Sequence, residues 1–446
     1  MAIELNEDSR FQEVVPPLLP KEVMEEANRC YYCYDAPCIK ACPTGINIPV
    51  FIRQIATGDL ASSARTILDA NILGATCARI CPTEALCEGG CVRKEDSRPV
   101  SIGRLQRVAT DHAMTTSVPA LPPLPVSVGG CGRVSIVGAG PAGLGAAAIL
   151  CRMGYQVDIY EEKGEGGGLD TYGIVSYREP IPVSLWEVNL VKNMGAKFHF
   201  GVHVGHDLEW NALRSQSDAV IMAVGLGRVP RLGIPGEDFQ GVWDALDLVE
   251  ATKTQPLDTI ILGDRVVVIG AGNTAVDAAT CANRLGAKEV TILYRRGQAA
   301  MPAYEYEYVF AKQDGVNYRW WTVPVEILGH GHVEALRCMR TRVVEGEATG
   351  RQASLELIPN SEFIMPVDAV IRAIGQAKPK NFWEIIGAQT KNNRVVVDPE
   401  TLETSIPGVY AIGDCLARPG EATVVGAVAD GKQAAWAIHR QLVKVV

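Results

Sequence analysis

Residues 133–161 read RVSIVGAGPAGLGAAAILCRMGYQVDIYE. A β-branched run leads into Gly138-Ala139-Gly140-Pro141-Ala142-Gly143. A small-residue helix follows, then a second strand that ends at Glu161. Glycines at this turn let the backbone approach a pyrophosphate, and the helix N-terminus offers N–H groups and a favourable dipole. Glu161 lies 23 residues after Gly138, near the offset at which a carboxylate meets a ribose hydroxyl. The glycine pattern alone is weak evidence. With a strand before it, a helix after it and an acid at the next strand end, it marks a dinucleotide-binding βαβ unit.

The unit recurs at residues 264–296, DRVVVIGAGNTAVDAATCANRLGAKEVTILYRR. Here Gly270, Gly272, Asn273 and Thr274 form the turn, and Tyr294-Arg295-Arg296 stands where an NAD-type site would place an acid. Guanidiniums suit a ribose 2′-phosphate, so NADPH is expected to be favoured over NADH. Three short strands end on glycines: Gly225, Gly375 and Gly413. The first two would close the two nucleotide domains. The third runs into Asp414 and, past Thr423, a last helix. A split first domain, 133–260 and 366–446, is expected to enclose the second, 261–365.

The N-terminal third differs in kind. Thirteen cysteines are present, and eight fall between Cys30 and Cys91. Cys30, Cys33, Cys38 and Cys42 form a C-x2-C-x4-C-x3-C run followed by Pro43; Cys77, Cys81, Cys87 and Cys91 form the second run. Such spacing serves disulfides, zinc or iron–sulfur clusters. No signal peptide or apolar stretch of 18 residues is present, so a cytoplasmic protein is expected, where disulfides are disfavoured. Zinc would give no redox link to a nucleotide domain, and two [4Fe–4S] clusters are the expectation. Apolar residues at helical spacing (Val50, Phe51, Ile55, Ala64, Ile67, Leu68, then Ile102, Leu105, Val108) make 1–114 a small helical domain. Its apolar mass is slight, so bound inorganic centres would stabilise it. A Pro/Gly/Ser linker, 115–132, follows. A net charge of −9 disfavours nucleic acid as a partner. The five later cysteines are isolated, read as buried small residues, and none forms a redox C-x-x-C.

The pairing of G-A-G-P-A-G with a terminal Ala411-Ile412-Gly413-Asp414 resembles the two-dinucleotide-domain flavoprotein reductases. The resemblance implies FAD on the first domain, NAD(P)H on the second and Asp414 at the flavin ribityl chain. Gly166-Gly167-Gly168-Leu169 is similar to that family's isoalloxazine-side loop, with Arg178 further along. Val175 stands where proline is usual, and Glu179 where an apolar residue is usual. Over nearly the whole chain, the order of the cysteine runs, both glycine motifs and Arg295-Arg296…Met301-Pro302-Ala303 resemble two families. These are the glutamate synthase small subunit and the flavin half of dihydropyrimidine dehydrogenase. The latter implies cluster one on Cys30, Cys33, Cys38 and Cys91, and cluster two on Cys42, Cys81, Cys87 and Gln106, with Cys77 spare. A plain allocation of four ligands per run stays open, as does a surface role for Gln106. The resemblance further implies a hetero-oligomer with an FMN subunit that reduces uracil and thymine. The alternatives are a glutamate synthase small subunit, a related NADPH:ferredoxin-type reductase, or a zinc-stabilised nucleotide-binding regulator without turnover.

Overall fold

The computed structural model describes residues 9–116, 121–126, 131–344, 350–416 and 422–443. The chain divides into two compact units. One comprises Glu13–Thr171, Arg178–Leu226 and Lys378–Val446; the other comprises the residues up to Gln12, Tyr172–Tyr177 and Gly227–Ala377.

The larger unit begins with helices. Pro20–Ala27, Ile48–Ala56, Leu60–Ala70, Gly74–Ile80 and Ile102–Thr115 pack around Phe51, Ile52, Ile55, Ile67, Leu105 and Ala109. The apolar run from Ile48 to Ala70 is two helices. The chain turns at Gly58 (φ 82°), and the Asp59 side chain caps the second helix by accepting from the Ser62 N–H. Glu26 accepts from Arg29, Arg98 and the Ser101 N–H, which fastens the first helix to the segment after the second cysteine run.

The same unit holds a five-stranded parallel sheet in the spatial order Val409–Ala411, Ala219–Met222, Arg133–Val137, Gln156–Glu161, Lys197–Phe200. The helices Pro141–Met153 and Val424–Val443 lie in close contact. A Cβ at Gly431 would stand 2.3 Å from the Ala142 carbonyl oxygen, so only glycine allows this approach. Of the linker, residues 121–126 are held: Leu124 N–H donates to the Arg152 carbonyl, and Arg152 Nε donates to the Pro122 carbonyl.

The smaller unit has its own parallel sheet, ordered Val242–Asp244, Ala369–Arg372, Arg265–Ile269, Glu289–Tyr294, Asn317–Trp320. This moves the expected boundaries outward. Ala369–Arg372 pairs with both Val242–Asp244 and Arg265–Ile269, so segments on either side of 261–365 complete this sheet. An antiparallel sheet of Thr322–Leu328, Ala335–Val343, Leu355–Leu357 and Phe363–Pro366 also belongs here, and no sequence motif announced it. Among the described residues no helix is long and apolar enough to cross a membrane.

Candidate functional site

In the larger unit the first glycine turn is built for close backbone approach. Gly138 has φ 106°, and a Cβ there would sit 2.3 Å from the Ala223 carbonyl oxygen, at the end of the neighbouring strand. The second glycine loop comes just as close: a Cβ on Gly168 would meet the Gly140 Cα at 2.9 Å. Helix Pro141–Met153 starts there with Gly140 as its cap and Pro141, Ala142 and Gly143 as its first turn, which leaves N–H groups for a ligand. Glu161 is buried and accepts from the Ala139 and Lys163 N–H groups; burial pushes its pKa up against the pull of those donors. Its carboxyl is thus fixed beside the turn.

Gly413 (φ 71°) donates its N–H to Asp430 at 3.0 Å, while Asp414 is partly buried and has no hydrogen-bond partner among the described residues. Burial, with Asp430 nearby, raises its pKa. A carboxyl in that state suits a ligand hydroxyl. Thr423 caps the last helix through the Gly426 N–H, Gly225 (φ 61°) faces open space, and Leu169 is exposed. Arg178 is half-buried.

The smaller unit repeats the device. Gly270 has φ 126°, and a Cβ would lie 2.2 Å from the Ala373 carbonyl oxygen. Helix Asn273–Arg284 begins at Gly272. Asn273 Oδ1 accepts from the Tyr304 N–H at 3.3 Å, Thr274 is half-buried, and Gly375 (φ 98°) is open. The two arginines part company. Arg295 is exposed, and its guanidinium has no partner among the described residues. Arg296 is 7% exposed and donates to the Ala353 carbonyl at 2.8 Å and the Gly350 carbonyl at 3.2 Å. Expected as a second phosphate ligand, Arg296 is spent on the unit's own backbone. Neighbouring residues at a strand end face opposite sides, which the dipeptide alone conceals.

The cysteines group across the two runs. Cys30, Cys33, Cys38 and Cys91 line one cleft with Ile48 and Ile52. Burial pushes the Cys38 thiol up to about 12, with Cys30, Cys91 and Cys33 adding to the effect. Cys42 and Cys81 bear likewise on Cys87, whose pKa burial raises. Cys77 is buried, accepts from Asn71 Nδ2 at 3.2 Å and lies against Cys81. Gln106 is buried; its Nε2 donates to the Gly74 carbonyl at 2.7 Å, which leaves Oε1 without a partner among the described residues. The Gly103 N–H donates to Glu88 Oε1 at 3.0 Å, setting the start of that helix against the loop carrying Cys87.

None of the thirteen cysteines is paired in a disulfide. Burial raises the Cys30 thiol as it does that of Cys38, and a bound cation such as iron would offset the charge of thiolates gathered there. Among the described residues no three His, Cys, Asp or Glu side chains converge tightly enough to share one ion. A single zinc draws its thiolates to about 2.3 Å, whereas a cluster assigns one thiolate to each iron and spreads them. Four thiols around one cleft suit a cluster that takes one thiolate per iron. Of the isolated cysteines, Cys281, Cys338 and Cys415 are buried, Cys151 is half-buried, and Cys131 is exposed, contrary to the expectation for it.

A buried carboxyl pair joins the helical and flavin-type parts of this unit. Glu187 Oε1 accepts from the Ala75 and Thr76 N–H groups at 2.6 and 3.1 Å, and Glu187 Oε2 lies 2.6 Å from Thr76 Oγ1. Glu179 Oε1 meets the same hydroxyl. One hydroxyl carries one proton, so two carboxyl oxygens on it require a proton from one of the acids. Burial, with Glu179 beside it, pushes Glu187 up to about 8. Glu179 is the residue that departed from the flavoprotein pattern, and its acid side chain serves this seam.

Two glycine-turn dinucleotide folds beside a thiol-rich helical domain define an NAD(P)H-dependent flavoprotein oxidoreductase with an iron–sulfur domain. The chain belongs to the pyridine nucleotide-disulphide oxidoreductase family, matched by residues 132–431. Residues 7–118 match the dihydropyrimidine dehydrogenase domain II, 4Fe-4S cluster family. The glutamate synthase [NADPH] small chain of Halomonas elongata is 34% identical over 438 residues, covering 95% of this chain and 92% of that one. The NAD-dependent dihydropyrimidine dehydrogenase subunit PreT of Escherichia coli (strain K12) is 33% identical over 432 residues, covering 97% of each. Mycobacterium tuberculosis FprA in complex with NADPH shares the fold, with a TM-score of 0.58 and 21% identity over 70% of this chain and 85% of that chain.

Two outcomes are expected. A charge-assisted hydrogen bond contributes about 1.5–3 kcal/mol. Arg295→Ala should therefore raise KM for NADPH about tenfold or more and leave NADH unchanged, while Arg296→Ala should lower Tm and affect both nucleotides alike. Steady-state kinetics with an artificial acceptor reads the difference. Burial raises the Glu187 pKa to about 8 in the fold, whereas in the unfolded chain it returns to the ordinary glutamate range near 4.5. Its contribution is complete below the lower value and is lost as pH rises through the upper one. Urea midpoints between pH 5 and 9 should fall less steeply in Glu187→Gln than in the parent. Parallel profiles would mean that Glu187 does not hold the proton.

Proposed function

We propose that this chain is the electron-input subunit of a dihydropyrimidine dehydrogenase. It oxidises NAD(P)H, with NADPH favoured, at FAD, and delivers electrons through two [4Fe–4S] clusters to an FMN subunit that reduces uracil and thymine. The observation that carries the reading is the braided grouping of the cysteines. Cys91 keeps company with the first run and Cys42 with the second, and Gln106 is buried with its Nε2 on the Gly74 carbonyl, which leaves Oε1 as a candidate ligand. The relative named as a PreT subunit, similar over almost its whole length, supports the same assignment.

Bound here, FAD would supply hydride-accepting chemistry and the iron–sulfur clusters one-electron chemistry. The chain's own residues bind and orient. Gly138, Gly140 and Gly143 leave the turn open for a pyrophosphate; Glu161, held by the Ala139 N–H, would meet the ribose, and Asp414 and Thr423 would meet the ribityl side. Cys30, Cys33, Cys38 and Cys91 hold cluster one; Cys42, Cys81, Cys87 and Gln106 hold cluster two. Gly270, Gly272, Asn273 and Thr274 take the nicotinamide dinucleotide, and Arg295 meets a 2′-phosphate. No side chain is required as acid or base in hydride transfer.

The second reading, a glutamate synthase small subunit, is favoured by the free Arg295, since the similar Halomonas elongata protein is named for NADPH. Co-purification from the native source separates the two. A complex that contains FMN and oxidises NADPH with uracil supports the first reading. A complex that forms glutamate from glutamine and 2-oxoglutarate, and is inert to uracil, overturns it. Gln106→Ala should alter the electron paramagnetic resonance signal of one cluster only. If both signals are unchanged, Cys77 returns to the ligand set.

A further inference from the structure

Lys432 lies on the last helix, Val424–Val443, one turn beyond Val428, which packs on Gly145 of the flavin-side helix Pro141–Met153. Its ammonium does not point to solvent. Nζ donates to the Ala70 carbonyl at 2.6 Å and the Thr44 carbonyl at 2.9 Å, both in the helical cysteine domain. Thr44 is buried, and its Oγ1 is 3.3 Å from Cys42 Sγ, so the ammonium and this thiol flank one residue.

The charges around Lys432 are few. Asp69 and Arg152 lie near it, and these two pair with each other at 2.5 Å. That leaves the lysine without a carboxylate partner of its own. Burial pulls its pKa below the usual lysine range, and the Cys42 thiolate is the first of the charges that act to restore it. Desolvating a cation against carbonyl dipoles alone is costly. A net negative group at Cys42 would offset that cost.

We propose that Lys432 is a positioning residue that sets the reduction potential of the cluster ligated by Cys42, by placing one uncompensated positive charge from the flavin domain beside it. The inference rests on the two-cluster reading above. A [4Fe–4S] core with three thiolates and a neutral amide carries one negative charge when oxidised. The electron it gains, which originates in NADPH, makes two. A fixed cation stabilises the second state more than the first, so it raises the potential. It acts on the cluster next to the flavin domain's last helix and not on the one at Cys30, Cys33, Cys38 and Cys91.

The test is a potentiometric titration of the full chain, carrying its flavin and iron, followed by electron paramagnetic resonance. Lys432→Met should reduce the equilibrium constant for reducing one cluster about tenfold or more, 59 mV per tenfold for a one-electron couple. The other cluster and the flavin should stay in place, and Lys432→Arg should match the parent. If Lys432→Met loses iron, Lys432→Gln keeps a donor for the carbonyls while removing the charge. Equal potentials in parent and neutral variants, or an equal shift of both clusters, overturn the proposal. So does iron loss from both neutral variants with full retention in Lys432→Arg, which would make the lysine a structural tether. Iron sufficient for only one cluster in the parent would instead sink the two-cluster reading.

Discussion

The Glu187 carboxyl, sealed from water against the Ala75 and Thr76 N–H groups, is the contact on which the larger unit depends. An iron–sulfur domain must be held rigidly to a flavin fold if electrons are to pass between them. Hydrophobic contact alone is non-directional and would fix the distance poorly. A buried acid that satisfies two backbone donors and one hydroxyl is directional, and leaving those donors bare would cost about 1–3 kcal/mol each. Arg152 on Asp69 and Lys432 on the Thr44 and Ala70 carbonyls repeat the logic at two further points. All three residues come from the flavin side, and all reach into helix ends or loops of the cysteine domain.

The glycine turns perform the complementary task. Gly138 and Gly270 hold positive φ at the same place in the two parallel sheets, each beneath the carbonyl that ends a neighbouring strand. Each turn is thereby kept free of a side chain in the space a dinucleotide needs. A thiol-rich domain, a flavin-type sheet and a nicotinamide-type sheet are thus three solutions to one problem: keeping a surface bare of side chains, or lined only by sulfur, inside a well-packed body.

Much of this was legible in the sequence, because glycine motifs and periodic apolar runs are local signals. Arg133–Val137, Arg265–Ile269 and the helices after them lie where their patterns place them. What was not legible depends on partners far along the chain. The edge strand Val242–Asp244 is three residues long and acquires meaning only by pairing with Ala369–Arg372. Arg295 and Arg296 look alike on paper, yet the carbonyls of Gly350 and Ala353 claim one and not the other. Glu179 was visible as a departure from a pattern, though not as half of an acid pair. Lys432 gave no signal, since its carbonyl partners are 388 and 362 positions away.

The crossing of Cys42 and Cys91 between the two cysteine runs bears on how the protein is made. A ribosome releases the first run well before the second. If the ligand sets are braided as proposed, the first four cysteines never constitute a finished site by themselves. Neither set is complete until Cys91 and Gln106 have emerged, so iron delivered to the nascent chain would find only partial sites. Maturation is thereby deferred to a stage when the helices Gly74–Ile80 and Ile102–Thr115 can already pack. On that allocation, the order of the cysteines would separate the moment a thiol is synthesised from the moment it can be metallated.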